Sequence, residues 1–130
     1  MTAAVKQITV AEYLASERAS EVRHEFFAGH VRAMAGASES HTLVAHNVGR
    51  SLGNALEATS CRVYQSDMRV QTRSTLYCYP DVVVACGQRR FEDDHQDILL
   101  NPVVVVEVLS PSTEASDRGQ KFDHYQSLAS

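Results

Sequence analysis

One stretch constrains the fold of this chain more than any other: Pro102 followed by four valines to Val106, then Glu107-Val-Leu-Ser-Pro111. Valine's branched Cβ stiffens its first side-chain torsion and favours strands. An unbroken apolar run between turn residues reads as a strand buried on both faces. Glu107 ends that run, flanked by Val106 and Val108. A carboxylate at the end of a buried strand is costly to ionise unless a cation or hydrogen-bond donors meet it. Glu107 therefore requires a partner.

A second apolar run, Val82 to Cys86, is entered through Pro80-Asp81. Proline is tolerated at a strand's first residues, where its missing N–H costs no ladder bond. If the two strands are antiparallel neighbours, the start of one lies beside the end of the other. Asp81 and Glu107 then meet at one rim of the sheet. Two carboxylates that close repel unless a divalent cation lies between them. Oxygen ligands alone suit Mg²⁺ or Mn²⁺.

The other elements follow from pattern. Thr9 and Glu12 are placed for a capping box opening a short helix through Tyr13 and Leu14. Glu25 to Gly36 reads as a hairpin turning at Ala28-Gly29, with Glu25 as a surface residue before it. Ser38 to Glu57 predicts a helix whose Leu43, Val44, Val48, Leu52, Ala55 and Leu56 make one apolar stripe. Arg62 to Gln71 alternates as a single strand. Gly87 to Asp97 reads as a solvated connection, and Glu114 to Ser130 as one closing helix. These elements predict an α/β (α+β) domain over residues 1–130, with one mixed central sheet flanked by helices.

On the closing helix Asp117, Lys121 and Tyr125 are spaced by four and share a face. Two accounts stand. Asp117 and Lys121 form a surface pair beside a packed tyrosine, or the Lys121 ammonium lies over the two acids and steadies negative charge developing on a phosphate.

Composition excludes several classes. A net charge of −4 argues against a nucleic-acid binder held by bulk positive charge. No apolar run reaches membrane-span length and no signal-peptide core precedes the first helix, which points to the cytoplasm and no membrane partner. Cys61, Cys78 and Cys86 match no zinc spacing and are expected to be reduced. The six histidines form no HExxH pattern, and no Gly-x-Ser-x-Gly elbow surrounds Ser110 or Ser112.

Pro80-Asp81 with its valines, Glu107-Val-Leu-Ser-Pro-Ser-Thr113 and the Asp117, Lys121, Tyr125 series together resemble the Uma family of endonucleases, within the PD-(D/E)XK (restriction-endonuclease-like) superfamily. The likeness runs from about residue 10 to the end and takes in the helix bearing His41 and Asn47. It implies a metal-dependent endonuclease acting on DNA, with Asp81, Glu107 and the Val108 carbonyl holding Mg²⁺ or Mn²⁺. The superfamily's lysine position is occupied here by Leu109, which makes Lys121 the substitute catalytic cation. Glu25, Asp117 and Tyr125 are accessory candidates, and pairing into a homodimer is implied for cutting two strands. Members continue into a further strand and helix, so the resemblance implies a chain short at its C-terminus. The alternative is a catalytically inactive module that keeps the nuclease fold for binding or assembly.

Overall fold

The computed structural model describes residues 7–111 and 114–128, with only the backbone at 116 and 117. Thr9 caps helix α1 (Val10–Arg18): its hydroxyl accepts the Glu12 amide at 3.1 Å, and the Glu12 carboxylate accepts the Thr9 amide at 3.2 Å. Strands β1 (His24–Phe27) and β2 (His30–Ala33) form the hairpin, with Ala28 at φ 51° and Gly29 at φ 84°. Positive φ at both positions matches the right-handed strand twist, and glycine takes it without steric cost. Ser38 caps helix α2 (Glu39–Ala55) by accepting the His41 amide at 3.2 Å.

Six further strands follow: β3 (Cys61–Gln65), β4 (Arg69–Gln71), β5 (Tyr77–Cys78), β6 (Val82–Cys86), β7 (Ile98–Leu99) and β8 (Val104–Val106). Helices α3 (Glu114–Arg118) and α4 (Gln120–Gln126) close the described chain. Among the described residues the strands make two sheets, β2-β1-β5-β4-β7 and β3-β6-β8, with only the β4–β7 pairing parallel. Val70, Leu76, Cys78, Val83, Ala85 and Leu99 form a buried core drawn from both. Among the described residues no helix is long and apolar enough to cross a membrane.

Several expectations are corrected. Among the described residues there is no single central sheet, because the chain changes sheet five times, after β2, β3, β5, β6 and β7. The Arg62–Gln71 strand is broken by a turn in which the Met68 amide donates to the Gln65 carbonyl at 3.1 Å. Arg23 holds that turn through the Ser66 carbonyl at 2.7 Å and Asp67 at 3.3 Å. Another change falls at Tyr79–Asp81, between β5 and β6. The valine ribbon is not buried on both faces: β8 is an edge strand, and Val103 and Val104 are exposed. β6, paired on both sides, is the buried one.

The apolar stripe of α2 is only partly covered. Val48 and Leu52 are half-buried against the β3–β6 sheet, whereas Leu43 and Val44 are exposed. The Gly87–Asp97 connection is largely exposed, as its charge implies, and a buried strand, β7, too short for its pattern to show, follows it. The closing helix breaks at Gly119. Cys61 and Cys86 are opposite each other on β3 and β6 and form a disulfide rather than free thiols; Cys78 is free and buried.

One buried carboxylate fastens α1 to the sheet. Glu17 accepts the His24 amide at 2.6 Å, the His24 ring at 2.9 Å, the Tyr79 hydroxyl at 2.9 Å and the Tyr13 hydroxyl at 3.3 Å. Burial pushes its carboxyl up, but the His24 and Tyr79 hydrogen bonds outweigh that and hold it below the usual carboxylate range. Its stabilising contribution is therefore complete above the ordinary glutamate range and lost as pH falls through the depressed native value. Glu17→Gln is expected to cost about 1–3 kcal/mol in a urea titration at neutral pH. It should also flatten the acid limb of stability against pH; an unaltered limb would contradict this role.

Candidate active site

The site is built on the β6–β8 ladder. These strands are antiparallel neighbours in the register Val82↔Val106, Val83↔Val105 and Val84↔Val104. The pairing ends at Val82↔Val106, so Asp81 precedes one end of that rung and Glu107 follows the other. The antiparallel pairing supposed from the sequence is present, and it brings the Asp81 end of β6 and the Glu107 end of β8 to one rim of the sheet.

Asp81 is held by the end of the neighbouring strand. Its Oδ2 accepts the Val108 amide at 2.7 Å and lies 3.3 Å from His41 Nε2. The same ring nitrogen is 2.9 Å from the Val108 carbonyl oxygen. His41 comes from the first turn of α2, where the Ser38 cap fixes its backbone. Sequence reasoning counted it among scattered histidines. Its helix position could be read from the pattern, but nothing local showed that it would reach the Asp81 rim.

Glu107 is met from α4. The Tyr125 hydroxyl donates to Glu107 Oε1 at 2.5 Å, and Lys121 Nζ lies 3.9 Å from the same oxygen. Lys121 Nζ also lies 2.6 Å from Glu25 Oε1 on β1, and Arg32 stands 3.5 Å from the other Glu25 oxygen. Glu25 is buried, which corrects its reading as a surface residue before the hairpin.

Burial pulls the Lys121 ammonium down, but Glu107 and Glu25 outweigh it and raise it to about 12. It is a permanent cation at neutral pH and cannot serve as a base. Burial, with the Cys78 thiol and the Glu107 carboxylate as neighbours, pushes the Tyr125 phenol well above its ordinary value. It therefore stays a hydrogen-bond donor.

Leu109 is exposed. Of the accessory candidates, the structure brings Glu25 and Tyr125 to the cluster. The Asp117 side chain lies outside the described residues, and the break at Gly119 ends the continuous helix face on which it was placed. Helix α4 is docked through the Ser74 hydroxyl at 2.6 Å from His124 Nδ1, and through the Ser74 amide donating to Ser127 Oγ at 3.3 Å.

The donor set suits a hard cation. Among the described residues no three His, Cys, Asp or Glu side chains form a cage by themselves. Mg²⁺ and Mn²⁺ sites of this kind use one or two carboxylates and leave other positions to water and substrate. Asp81, Glu107 and the Val108 carbonyl, at one rim of the β6–β8 sheet, are oxygen donors of that kind.

Comparison with known proteins agrees with this architecture. A solved structure titled as a putative nuclease belonging to DUF820, from Anabaena variabilis, superposes with a TM-score of 0.73 at 18% identity, over 90% of this chain and 66% of that one. At that identity the likeness establishes the fold. Two uncharacterized Synechocystis proteins are similar in sequence: slr1290 is 39% identical over 88% of this chain, and sll1609 is 35% identical over 98%. The chain spans 60% of the first and 73% of the second. With paired acids on adjacent strands and a lysine delivered from the closing helix, residues 10–130 match the profile described as "Putative restriction endonuclease", and the chain belongs to that family, Uma2.

Proposed function

We propose that this chain is a divalent-cation-dependent endonuclease of the PD-(D/E)XK type that hydrolyses phosphodiester bonds in DNA. The observation that supports the reading is the antiparallel β6–β8 pairing, which brings the strand ends bearing Asp81 and Glu107 to one rim, with the Lys121 ammonium 3.9 Å from Glu107. Asp81, Glu107 and the Val108 carbonyl would hold Mg²⁺ or Mn²⁺. Such a cation supplies Lewis acidity toward water and phosphoryl oxygens.

The chain's own residues do the remaining work. Lys121 presents fixed positive charge where negative charge accumulates on the phosphoryl oxygens, which lowers the barrier without a proton transfer. Tyr125 holds the orientation of Glu107, and the Val108 amide holds that of Asp81. Hydrolysis adds a water oxygen to phosphorus, breaks one P–O bond and returns a proton to the departing oxygen.

A groove lined by Arg73, Arg90, Gln71, Thr72 and Asn101 contains no acidic side chain. In an acidic chain that exception favours a polyanion as ligand, since guanidinium groups match phosphate geometry. The test is cleavage of supercoiled plasmid, single-stranded DNA and RNA with Mg²⁺, Mn²⁺ or chelator. Cation-dependent cutting of DNA, absent with chelator, is the expected result. Cleavage of RNA alone would remove DNA as the substrate. Binding without cutting of any of the three would replace the enzyme with a silent nuclease-fold module.

A further inference from the structure

We propose that the arginine-lined groove is a second phosphate subsite, in which Arg73 and Arg90 grip the cut DNA strand a few nucleotides from the scissile phosphate. The inference rests on the nuclease reading above and says how that substrate is held.

Two elements lead from the acids and the lysine to the groove. Val103, just before β8, and Leu128, just past α4, both line it. Val103 is four residues before Glu107, about 13 Å along an extended chain. Leu128 is seven residues after Lys121, about 10 Å along a helix. Phosphates on one strand of a duplex rise about 3.4 Å apart along the axis, so the separation corresponds to a few nucleotides.

The chemistry of the groove points the same way. Arg18, Arg23, Arg32, Arg69 and Arg118 each meet a carboxylate. Among the described residues Arg73 and Arg90 have no ion pair and no side-chain hydrogen bond. Their backbones are nonetheless fixed. The Arg90 amide donates to Asn101 Oδ1 at 2.8 Å, and Asn101 Nδ2 donates to the Gln88 carbonyl at 2.8 Å. Arg73 lies in the β4–β5 turn, where the Thr72 amide donates to the Leu76 carbonyl at 2.9 Å. The plainer account makes both arginines solvated surface charges. It leaves unexplained why two guanidinium groups share one groove free of carboxylates in a chain of net charge −4. A guanidinium with its donors open matches the paired oxygens of a phosphate.

The test is anisotropy of fluorescent single-stranded DNA in chelator, over a series of salt concentrations. With the unaltered chain, affinity should rise as the strand lengthens from two nucleotides, too short to reach the groove, to twelve. The double variant Arg73→Gln, Arg90→Gln should lose most of that rise. On the twelve-nucleotide strand its affinity should fall on the order of 10-fold, and its salt dependence should flatten by roughly 1–2 units of slope, as two lost phosphate contacts require. Arg50→Gln, which removes an exposed charge from α2, should leave the slope where it is. Equal flattening per charge by Arg50→Gln would reduce the effect to net charge and overturn the inference. So would an unchanged slope in the double variant, or an unaltered chain that binds neither strand. None of these outcomes touches the nuclease reading, which plasmid cutting with Mg²⁺ or Mn²⁺ decides separately.

Discussion

Asp81→Asn should abolish the rise in melting temperature that Mn²⁺ or Mg²⁺ gives the unaltered chain. It should also lower phosphodiester hydrolysis by on the order of 10³-fold, about 4 kcal/mol of transition-state stabilisation. The substitution is a narrow one. The asparagine carbonyl can still accept the Val108 amide that Asp81 accepts at 2.7 Å, so the β6–β8 rim should persist. What disappears is one negative charge at the rim that also carries Glu107, and with it half of the carboxylate pair that attracts a dication. Thermal melts with and without cation check the first part and plasmid nicking the second. A variant that still gains stability from the cation would show that ion binding lies elsewhere.

Lys121→Met should be the most destabilising single change in the cluster, at about 3–5 kcal/mol by urea unfolding. Methionine preserves much of the apolar stem and removes the ammonium. Glu25 and Glu107, with side chains only 11% and 14% exposed, then face each other's charge across the gap with Lys121's contribution gone. Breaking a partly desolvated ion pair from one side costs more than removing both partners, because an unmatched charge remains. The double variant Lys121→Met, Glu25→Gln should therefore recover part of the loss.

The native Lys121 ammonium is raised to about 12, so its contribution is complete below the ordinary lysine range and fades only as pH rises through that value. A loss under about 1 kcal/mol would mean that the pair is solvent-screened and worth no more than a surface contact.

Much of this site was legible because its parts are local. The valine runs, the acid at the end of each and the lysine–tyrosine spacing within α4 can all be read from short windows, and the β6–β8 register joins them. What was hidden depends on distant parts of the chain. No short window says that Arg62–Gln71 turns at Ser66 and moves to a second sheet, or that the valine ribbon is an edge. Strand type is a local preference, while position in a sheet is decided by which strands arrive on either side.

Glu25 reads as solvated because the buried cation that meets it at 2.6 Å, Lys121, is 96 positions away. His41 contacts Val108 across 67 positions for the same reason. The Cys61–Cys86 disulfide follows from the β3–β6 register, which three cysteines in a list cannot supply.

The acids and the lysine belong to parts of the molecule with different claims to permanence. Asp81 and Glu107 are locked by a ladder whose central strand is inside the protein. Lys121 and Tyr125 ride on a seven-residue helix moored near the far end by Ser74 and carrying an exposed Phe122. Short helices with few anchors open at a fraction of the free energy needed to unfold the whole. The molecule can therefore lose its lysine while keeping its acids. On the proposed nuclease reading, whatever seats or unseats that one helix would govern competence with no change to the β6–β8 ladder.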